Sequence, residues 1–412
     1  MNKSITYKRN ITSHLKSLMG LFPVVAIIGA RQVGKTTLAK EVGRDFLYVD
    51  LEKPSDFDRV MNDPEFFLKQ YPSKVIFDEA QLSPALFATL RGVIDEKRDV
   101  KGRFILTGSS SPELLTHISE SLAGRIAIIE LGTLKANEFY QTPLSDFYQL
   151  FKQPLSKENM VIESQALTFS QLQEMWFKGG YPESRLLDNE IFYQEWMVNY
   201  EATYINRDIA RLFPKLNKIA YRKFLTMLGE LSSKTLNKSD IARTLNVSEP
   251  TVTDYISIAA GTFLWRSLPS FEHNITKRIV KMPRGHIRDS GLLHHFLHIK
   301  NLQQLQASVI AGFSFEAFVI EEILKGLQDS RIQADAYYYR TYSGAEIDLI
   351  LEGDFGLLPI EIKYGSRILS RQLRAMTEFI QDHKLPFGIV INQADRLEWL
   401  TDKIIQVPAT YL

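Results

Sequence analysis

The chain has 412 residues, 45% hydrophobic and 24% charged, an ordinary globular composition that excludes a mainly disordered protein. It has no cysteine, which excludes disulfides, thiolate metal sites, iron–sulfur clusters and cysteine nucleophiles. Its 49 basic and 48 acidic side chains nearly cancel, but residues 207–289 carry fifteen Lys/Arg against seven Asp/Glu, a balance of +8 that leaves −7 elsewhere within the total of +1. The N-terminus shows no signal peptide, and the longest apolar stretch, residues 21–30, is too short to span a bilayer, so we expect a cytoplasmic protein without a membrane partner.

Short apolar runs alternate with helical stretches between residues 20 and 140. The runs are VVAIIGA, FLYVDLE, KVIFDEA, RFILTGSS and RIAIIEL. Val/Ile/Leu runs separated by helices are typical of parallel strands buried on both faces. The sequence therefore predicts an α/β fold with a doubly wound parallel sheet.

The first run leads into GARQVGKTT, which matches the phosphate-loop (P-loop) pattern G-x-x-x-x-G-K-S/T without mismatch. Between a strand and a helix, the loop turns its backbone N–H groups toward phosphate oxygens. We expect Lys35 to bridge the terminal phosphates of ATP and the Thr36 hydroxyl to bind Mg²⁺. A chance Gly-Lys-Thr turn is the alternative, which the strand-loop-helix context disfavours. The predicted nucleotide-binding residues are Gly29, Ala30, Arg31, Gln32, Val33, Gly34, Lys35, Thr36 and Thr37.

Polar side chains follow the later strands. KVIFDEA contains Asp78 and Glu79, which we expect to hold the Mg²⁺ water shell and to orient the attacking water. Thr107 and Ser109, at the end of FILTGSS, are either γ-phosphate sensors or turn residues. Arg125 is either a finger that stabilises transition-state charge, in its own subunit or across a homo-oligomer, or a surface salt-bridge arginine.

The basic middle of the chain contains LNKSDIARTLNVSEPTVTDYISIA, which resembles a helix-turn-helix of the winged-helix kind. Ser248 is the expected N-cap, with Pro250 in the first helical turn. Further along, Asp289 in RDSGLL is expected to cap another helix. Gly179 and Gly180, in GGYP, are expected to form a turn.

The balance of +8 favours non-specific contact with DNA, because phosphate neutralisation dominates such binding. Glu249 and Asp254 on the second helix oppose this hypothesis, and packing against the ATPase domain is the alternative. The expected phosphate contacts are Lys234, Lys238 and Arg243, followed downstream by the basic cluster Lys277, Arg278, Lys281, Arg284 and Arg288.

The C-terminal part predicts a second α/β unit, with Asp348 on one strand and Glu361 and Lys363 on the next. Glu361 and Lys363 share a face because side chains alternate along a strand. An acid followed by acid-x-lysine is the arrangement of restriction-endonuclease-like nucleases. In that interpretation Asp348, Glu361 and Glu316 bind Mg²⁺ or Mn²⁺, and Lys363 orients the attacking water. Glu346 is an alternative ligand, and an inactive binding platform is the alternative for the domain.

The order of the motifs resembles the bacterial and archaeal AAA-type ATPases that end in a C-terminal domain of unknown function. The motifs are GARQVGKTT, FDEAQ, LTGSS with SLAGR, GGYPE, RDSGLL and GAEID. The resemblance implies ATP hydrolysis at the P-loop, Asp78 and Glu79, with Thr107 or Ser109 as sensor and Arg125 as finger. It also implies a nuclease-like C-terminal fold. The predicted domains are an AAA-type ATPase at 1–140, a helical lid at 141–205, a helix-turn-helix-like basic domain at 206–300 and a nuclease-like domain at 301–412.

Two functions are compatible with these predictions. The first is a Mg²⁺-dependent ATPase that acts on DNA, with metal-dependent DNA cleavage as a second activity. The second is an ATP-dependent switch that docks to a protein partner and uses an inactive nuclease-like domain as a platform. Stimulation of ATP turnover by DNA would separate the two.

Overall fold

The computed structural model describes residues 7–109, 120–162, 165–209, 212–214, 216–272, 283–341 and 344–412. They form two compact units. The first unit contains the chain up to Thr133 together with residues 181–183 and 261–263, and the second contains the rest. Among the described residues, no helix is both long enough and apolar enough to cross a membrane.

The first unit is a parallel sheet surrounded by helices. Its strands are β1 (Val24–Gly29), β2 (Leu47–Asp50), β3 (Val75–Asp78), β4 (Phe104–Ser109) and β5 (Ile126–Glu130). Its helices are α1 (Thr12–Leu21), α2 (Lys35–Val42), α3 (Pro54–Met61), α4 (Pro64–Gln70) and α5 (Pro84–Glu96). The strand order is β2-β3-β4-β1-β5, all parallel, with every residue of β1 and β3 buried. The predicted parallel α/β sheet is confirmed.

The second unit begins with helices and a small sheet. The helices are α6 (Ala136–Tyr140), α7 (Phe169–Lys178), α8 (Glu190–Thr203), α9 (Lys218–Glu230), α10 (Lys238–Leu245) and α11 (Glu249–Gly261). The strands are β6 (Lys234–Thr235), β7 (Trp265–Leu268) and β8 (Arg284–Ile287). Strand β8 pairs antiparallel with both β6 and β7.

The helix pair predicted in the basic middle is present as α10 and α11. Asn246, in the left-handed conformation at φ 54°, ends α10, and the Ser248 hydroxyl accepts a hydrogen bond from the Thr251 N–H at 3.3 Å. Ser248 is thus the N-cap of α11, and Pro250 lies in its first turn, where a missing N–H leaves no helical bond unmade.

The rest of the second unit is a mixed α/β sheet with its helices. The helices are α12 (Ser290–Phe296), α13 (Leu302–Ala307), α14 (Ala311–Asp329) and α15 (Arg374–Asp382). The strands are β9 (Ala334–Arg340), β10 (Glu346–Gly353), β11 (Gly356–Ile362), β12 (Gly388–Asn392), β13 (Glu398–Trp399) and β14 (Ile404–Pro408). The order is β13-β14-β12-β11-β10-β9, with β11, β12 and β14 parallel and the other pairings antiparallel. The two consecutive strands predicted to carry Asp348 and Glu361 are present as β10 and β11.

Aromatic side chains from the start of the second unit pack into the same core as this mixed sheet. The Trp176 ring lies 5.6 Å from the Phe315 ring, and the Trp176 indole N–H donates to the Ser314 hydroxyl at 2.9 Å. The same hydroxyl lies 2.6 Å from His294 Nε2. Helices α7, α12 and α14 are thereby joined through one buried hydroxyl. The boundaries of the four predicted domains stay predictions.

Candidate nucleotide site and carboxylate cluster

The P-loop connects β1 to α2, as the motif predicts. Gly29 ends β1 where the backbone of Leu131 passes close by, and a Cβ on Gly29 would lie 2.1 Å from the Leu131 carbonyl oxygen. Only glycine fits there. Gly34 precedes α2 with φ 96°, so Lys35 and Thr36 occupy the first helical turn. This turn places their side chains where N–H groups at a helix N-terminus attract anions.

Lys35 is buried and lies folded against the loop. Its Nζ donates to the carbonyl oxygens of Gly29 at 3.1 Å and Ala30 at 2.8 Å. A buried ammonium needs acceptors, and these carbonyls provide two. The side chain is thus held beside the loop that would surround a phosphate.

Asp78, at the end of β3, is a buried carboxylate that accepts hydrogen bonds from three hydroxyls. Thr36 Oγ1 lies 3.0 and 2.9 Å from its two oxygens, and the Tyr48 hydroxyl donates at 2.7 Å. The Thr107 hydroxyl donates to the same carboxylate. A hydroxyl and a carboxylate side by side are suitable donors for Mg²⁺. The residues predicted to hold that ion therefore come together, and they fit it.

Glu79 follows Asp78 in the left-handed conformation, with φ 54°. Its N–H donates to Thr107 Oγ1 at 3.3 Å, and its carboxylate accepts from the Gln81 side chain. Strand β4, which carries Thr107, lies between β1 and β3. From this neighbouring strand, Thr107 contacts the Asp78 carboxylate and the Glu79 N–H at the end of β3.

Two further predicted residues of the nucleotide site are Arg125 and Ser109. The Arg125 guanidinium forms a two-pronged ion pair with Asp95 on α5, at 2.7 and 2.8 Å, and also donates to the Ala123 carbonyl at 2.9 Å. This is the salt-bridge alternative within one chain, and a role as a finger stays a prediction. The Ser109 side chain lies outside the described part of the structure, as do Lys277, Arg278 and Lys281.

The second group of predicted site residues is a buried carboxylate cluster, formed by Glu316 on α14, Asp348 on β10 and Glu361 on β11. The β10 ladder is irregular between Ile347 and Ile350, so Asp348 lies at a bulge, and its Oδ2 accepts the Ile362 N–H at 2.8 Å. Bulges commonly redirect a side chain beside a functional site.

Lys363 contacts both strands of the cluster. Its Nζ lies 3.7 Å from Asp348 Oδ2 and forms an ion pair with Glu361, so the predicted shared face is confirmed. Burial and the neighbouring Asp348 raise the pKa of Glu361 to about 8, and the same two causes raise the pKa of Glu316. The alternative ligand Glu346 instead pairs with Arg340 at 3.0 Å.

A second cation in the cluster was not predicted there. Arg284 on β8 is 7% exposed, and its guanidinium lies 3.4 Å from Asp348 Oδ1 and 3.2 Å from Glu316 Oε1. Its Nε donates to the Ser233 carbonyl. Within the described residues, no three Asp, Glu or His side chains are placed to hold a metal ion. With a guanidinium between two of the three carboxylates, the cluster does not fit Mg²⁺ or Mn²⁺ as arranged.

Three segments of the chain match known family models. Residues 21–140 match the model of an AAA domain, residues 169–303 match a domain of unknown function (DUF8612), and residues 311–412 match another domain of unknown function (DUF4143). An uncharacterized protein of Mycobacterium tuberculosis is 30% identical over 405 residues, which is 98% of this chain and 83% of that protein. An uncharacterized protein of Mycobacterium bovis matches with the same values. The chain belongs to their family.

The residues that match the AAA domain include the P-loop, Asp78 and Thr107 of this chain. The first unit therefore contains a P-loop ATPase domain. Among solved structures, the Walker-type ATPase of Pyrococcus abyssi aligns with 71% of this chain and 96% of its own, at 14% identity and a TM-score of 0.45. The RuvB Holliday junction branch migration motor of Thermotoga maritima aligns with 64% of this chain and 90% of its own, at 17% identity and a TM-score of 0.29. Likeness at this level indicates nothing about what this family acts on.

Sequence analysis missed three residues at these sites. Tyr48 contacts Asp78 from within β2, and no motif marks it. Arg9 donates to the Val33 carbonyl of the P-loop and to the Gly132 carbonyl, both at 2.8 Å, and no motif marks it. Arg284 was assigned to a basic cluster at the surface, and its burial was not predicted.

Proposed function

We propose that this protein is a Mg²⁺-dependent ATPase. The observation that carries the proposal is the set of hydroxyl contacts around Asp78, which joins the P-loop to the strand that carries Thr107. In this proposal the P-loop N–H groups and Lys35 bind the β- and γ-phosphates of ATP. Thr36 and Asp78 would hold Mg²⁺, which supplies positive charge against the phosphate oxygens. Glu79 orients the water that attacks the γ-phosphate.

Phosphate release from Mg·ATP tests this proposal. Lys35→Ala should abolish turnover, because Lys35 is the charged side chain expected to contact the transferred phosphate. Lys69→Ala, a charge loss at an exposed position on α4, is the matched control and should retain the wild-type rate. Glu79→Gln should bind ATP but hydrolyse it slowly. Turnover that survives Lys35→Ala would remove the assignment.

Coupling of ATP hydrolysis to DNA is the finer part of the proposal. Lys234, Lys238 and Arg243 are exposed and so accessible to phosphates. The element order from α9 to β8 is helix, strand, helix, helix, strand, strand, which is compatible with the winged-helix-like prediction. Both observations support non-specific contact with a DNA backbone.

Arg243 forms an exposed ion pair with Asp240 at 3.0 Å, and other basic side chains of this region are also paired within the second unit, which favours the alternative of an ATP-dependent switch. Arg266 and Arg288 pair with the buried Glu321, and Arg222 pairs with Glu201 at 3.0 Å. Each internal pair removes a charge from the electrostatic attraction that non-specific binding requires. The balance of +8 therefore overstates the positive surface.

The two functions differ in the response of ATPase rate to duplex and single-stranded DNA. A rate that rises several-fold with DNA and loses this stimulation between about 50 and 200 mM salt supports the DNA-coupled function. A rate indifferent to DNA at low salt supports the switch. The Lys234→Glu/Lys238→Glu double variant is the matched test, since it should remove stimulation by DNA and leave the basal rate unchanged.

A further inference from the structure

The cation inside the carboxylate cluster has a consequence for the second unit. We infer that Arg284 occupies the position that a metal ion would take among Glu316, Asp348 and Glu361, so that the protein binds no divalent cation there while β8 keeps its place. All four of these residues belong to the second unit, whereas the P-loop belongs to the first.

The guanidinium of Arg284 is fixed from three sides. Nη1 faces Asp348, Nη2 faces Glu316, and Nε donates to the backbone carbonyl of Ser233. Carboxylate oxygens bind Mg²⁺ at about 2.0–2.1 Å. Here Glu316 Oε1 and Asp348 Oδ1 instead lie 3.2 and 3.4 Å from the guanidinium nitrogens of Arg284. A divalent ion placed between the same oxygens would also meet a buried positive charge. The arginine and the metal ion therefore exclude each other.

The strand that carries Arg284 is itself held by buried charges. Arg284 and His286 are two residues apart on β8 and so point to the same face of the strand. His286 Nε2 lies 3.0 Å from Glu321 Oε1, and Arg288 Nε lies 3.4 Å from Glu321 Oε2. Two glutamates of α14, Glu316 and Glu321, thus face basic side chains of this strand. The backbone that carries Arg284 is therefore held against α14 by a second set of contacts.

One oxygen of the cluster has no hydrogen-bond partner. The cluster contains three carboxyl groups and the two cations Arg284 and Lys363. Among the described residues, the buried Oε2 of Glu361 has no hydrogen-bond partner. Burying a carboxyl oxygen without a hydrogen-bond partner is unfavourable. Without the guanidinium, the carboxyl groups of Glu316, Asp348 and Glu361 would be free to rearrange around a divalent cation.

The test is Mn²⁺ binding to the full-length protein without nucleotide, followed by electron paramagnetic resonance and by thermal unfolding. The wild type should show no Mn²⁺ binding that depends on Asp348, so it and Asp348→Asn should give the same titration. Arg284→Gln should bind one additional Mn²⁺, at least tenfold more tightly than the wild type. Mn²⁺ should also raise the unfolding temperature of this variant. Both effects should disappear in Arg284→Gln/Asp348→Asn.

Arg288→Gln is the matched control, because it removes an arginine from the same part of the chain whose partner is Glu321. It should gain no Mn²⁺ site. Asp348-dependent binding of Mn²⁺ to the wild type would overturn the inference, as would a folded Arg284→Gln that gains no site. If Arg284→Gln does not fold in chelator, refolding in Mn²⁺ decides. Recovery supports the inference, and failure there while Arg284→Lys folds normally overturns it.

Discussion

Replacement of Asp289 tests how the RDSGLL motif stabilises the second unit. Its side chain is buried, with Oδ1 accepting the Leu292 N–H at 2.9 Å as the N-cap of α12 and Oδ2 accepting the Gly180 N–H at 2.8 Å. The predicted cap is confirmed, and the GGYP motif is its second partner. Loss of a cap costs about 1 kcal/mol, and a buried N–H left without an acceptor costs about 1–3 kcal/mol. Asp289→Ala should therefore lower the free energy of unfolding by about 2–4 kcal/mol.

Asp289→Asn separates the two bonds. Its amide oxygen can keep the cap, but its NH₂ group would face the Gly180 N–H, donor against donor, so we expect a loss of about 1–3 kcal/mol. Asn301→Ala is the matched control, because Asn301 caps α13 at an exposed position and should cost only about 1 kcal/mol.

Urea unfolding followed by tryptophan fluorescence measures these changes in the right part of the protein. The four tryptophans, Trp176, Trp196, Trp265 and Trp399, all belong to the second unit. If Asp289→Ala destabilises no more than Asn301→Ala, the bond to Gly180 contributes nothing and the reasoning is refuted.

Two further predictions address the nucleotide site and the buried histidine. Tyr48→Phe should lower the kcat of ATP hydrolysis about tenfold or more, because it removes one of three hydroxyls that position Asp78 and a hydrogen bond to a charged group contributes about 1.5–3 kcal/mol. Tyr71→Phe, which loses only a contact with the exposed Arg59, should leave kcat unchanged, and a change confined to KM in Tyr48→Phe would contradict the positioning role. Burial lowers the pKa of His294 to about 4, so folding keeps this ring neutral while the unfolded chain takes up a proton near pH 6.5. The contribution of His294 to the free energy of unfolding should therefore be fully present above pH 6.5, and this free energy should fall by about 2 kcal/mol from pH 7 to pH 5. The same fluorescence assay should show a smaller fall for His294→Gln. Equal slopes in the two proteins would show that another group is responsible.

The nucleotide site was predictable because its residues follow one another along the chain in a fixed local order. A buried strand, a glycine loop and a helix start define the P-loop, and an apolar run that ends in Asp78-Glu79 defines the next part of the site. Tyr48 and Arg9 escaped prediction because they contact Asp78 and Val33 only through folding. Neither position carries a local pattern that distinguishes it from an ordinary strand tyrosine or a surface arginine.

The carboxylate cluster shows the limit of the same reasoning. Side-chain alternation along a strand correctly placed Glu361 and Lys363 on one face, since that rule depends only on local backbone geometry. The partner of Asp348, Arg284, lies 64 positions earlier in the chain. No periodicity links two such positions. The basic segment was interpreted as a surface for DNA, whereas Arg284 and Arg288 neutralise buried carboxylates of the same unit.

The sequence by itself determined the parallel sheet, the phosphate loop, the helix caps and the acidic residues after the strands, because backbone geometry and near-neighbour hydrogen bonds govern these features. The tertiary structure alone decided which charges meet. A charge count over a segment cannot show whether a guanidinium faces water or a buried carboxylate, and burial makes that difference large, since an unpaired ion in the interior is strongly unfavourable. Arg284 was counted among the residues expected to contact DNA, and the fold instead places it beside the buried carboxyl groups of Glu316 and Asp348.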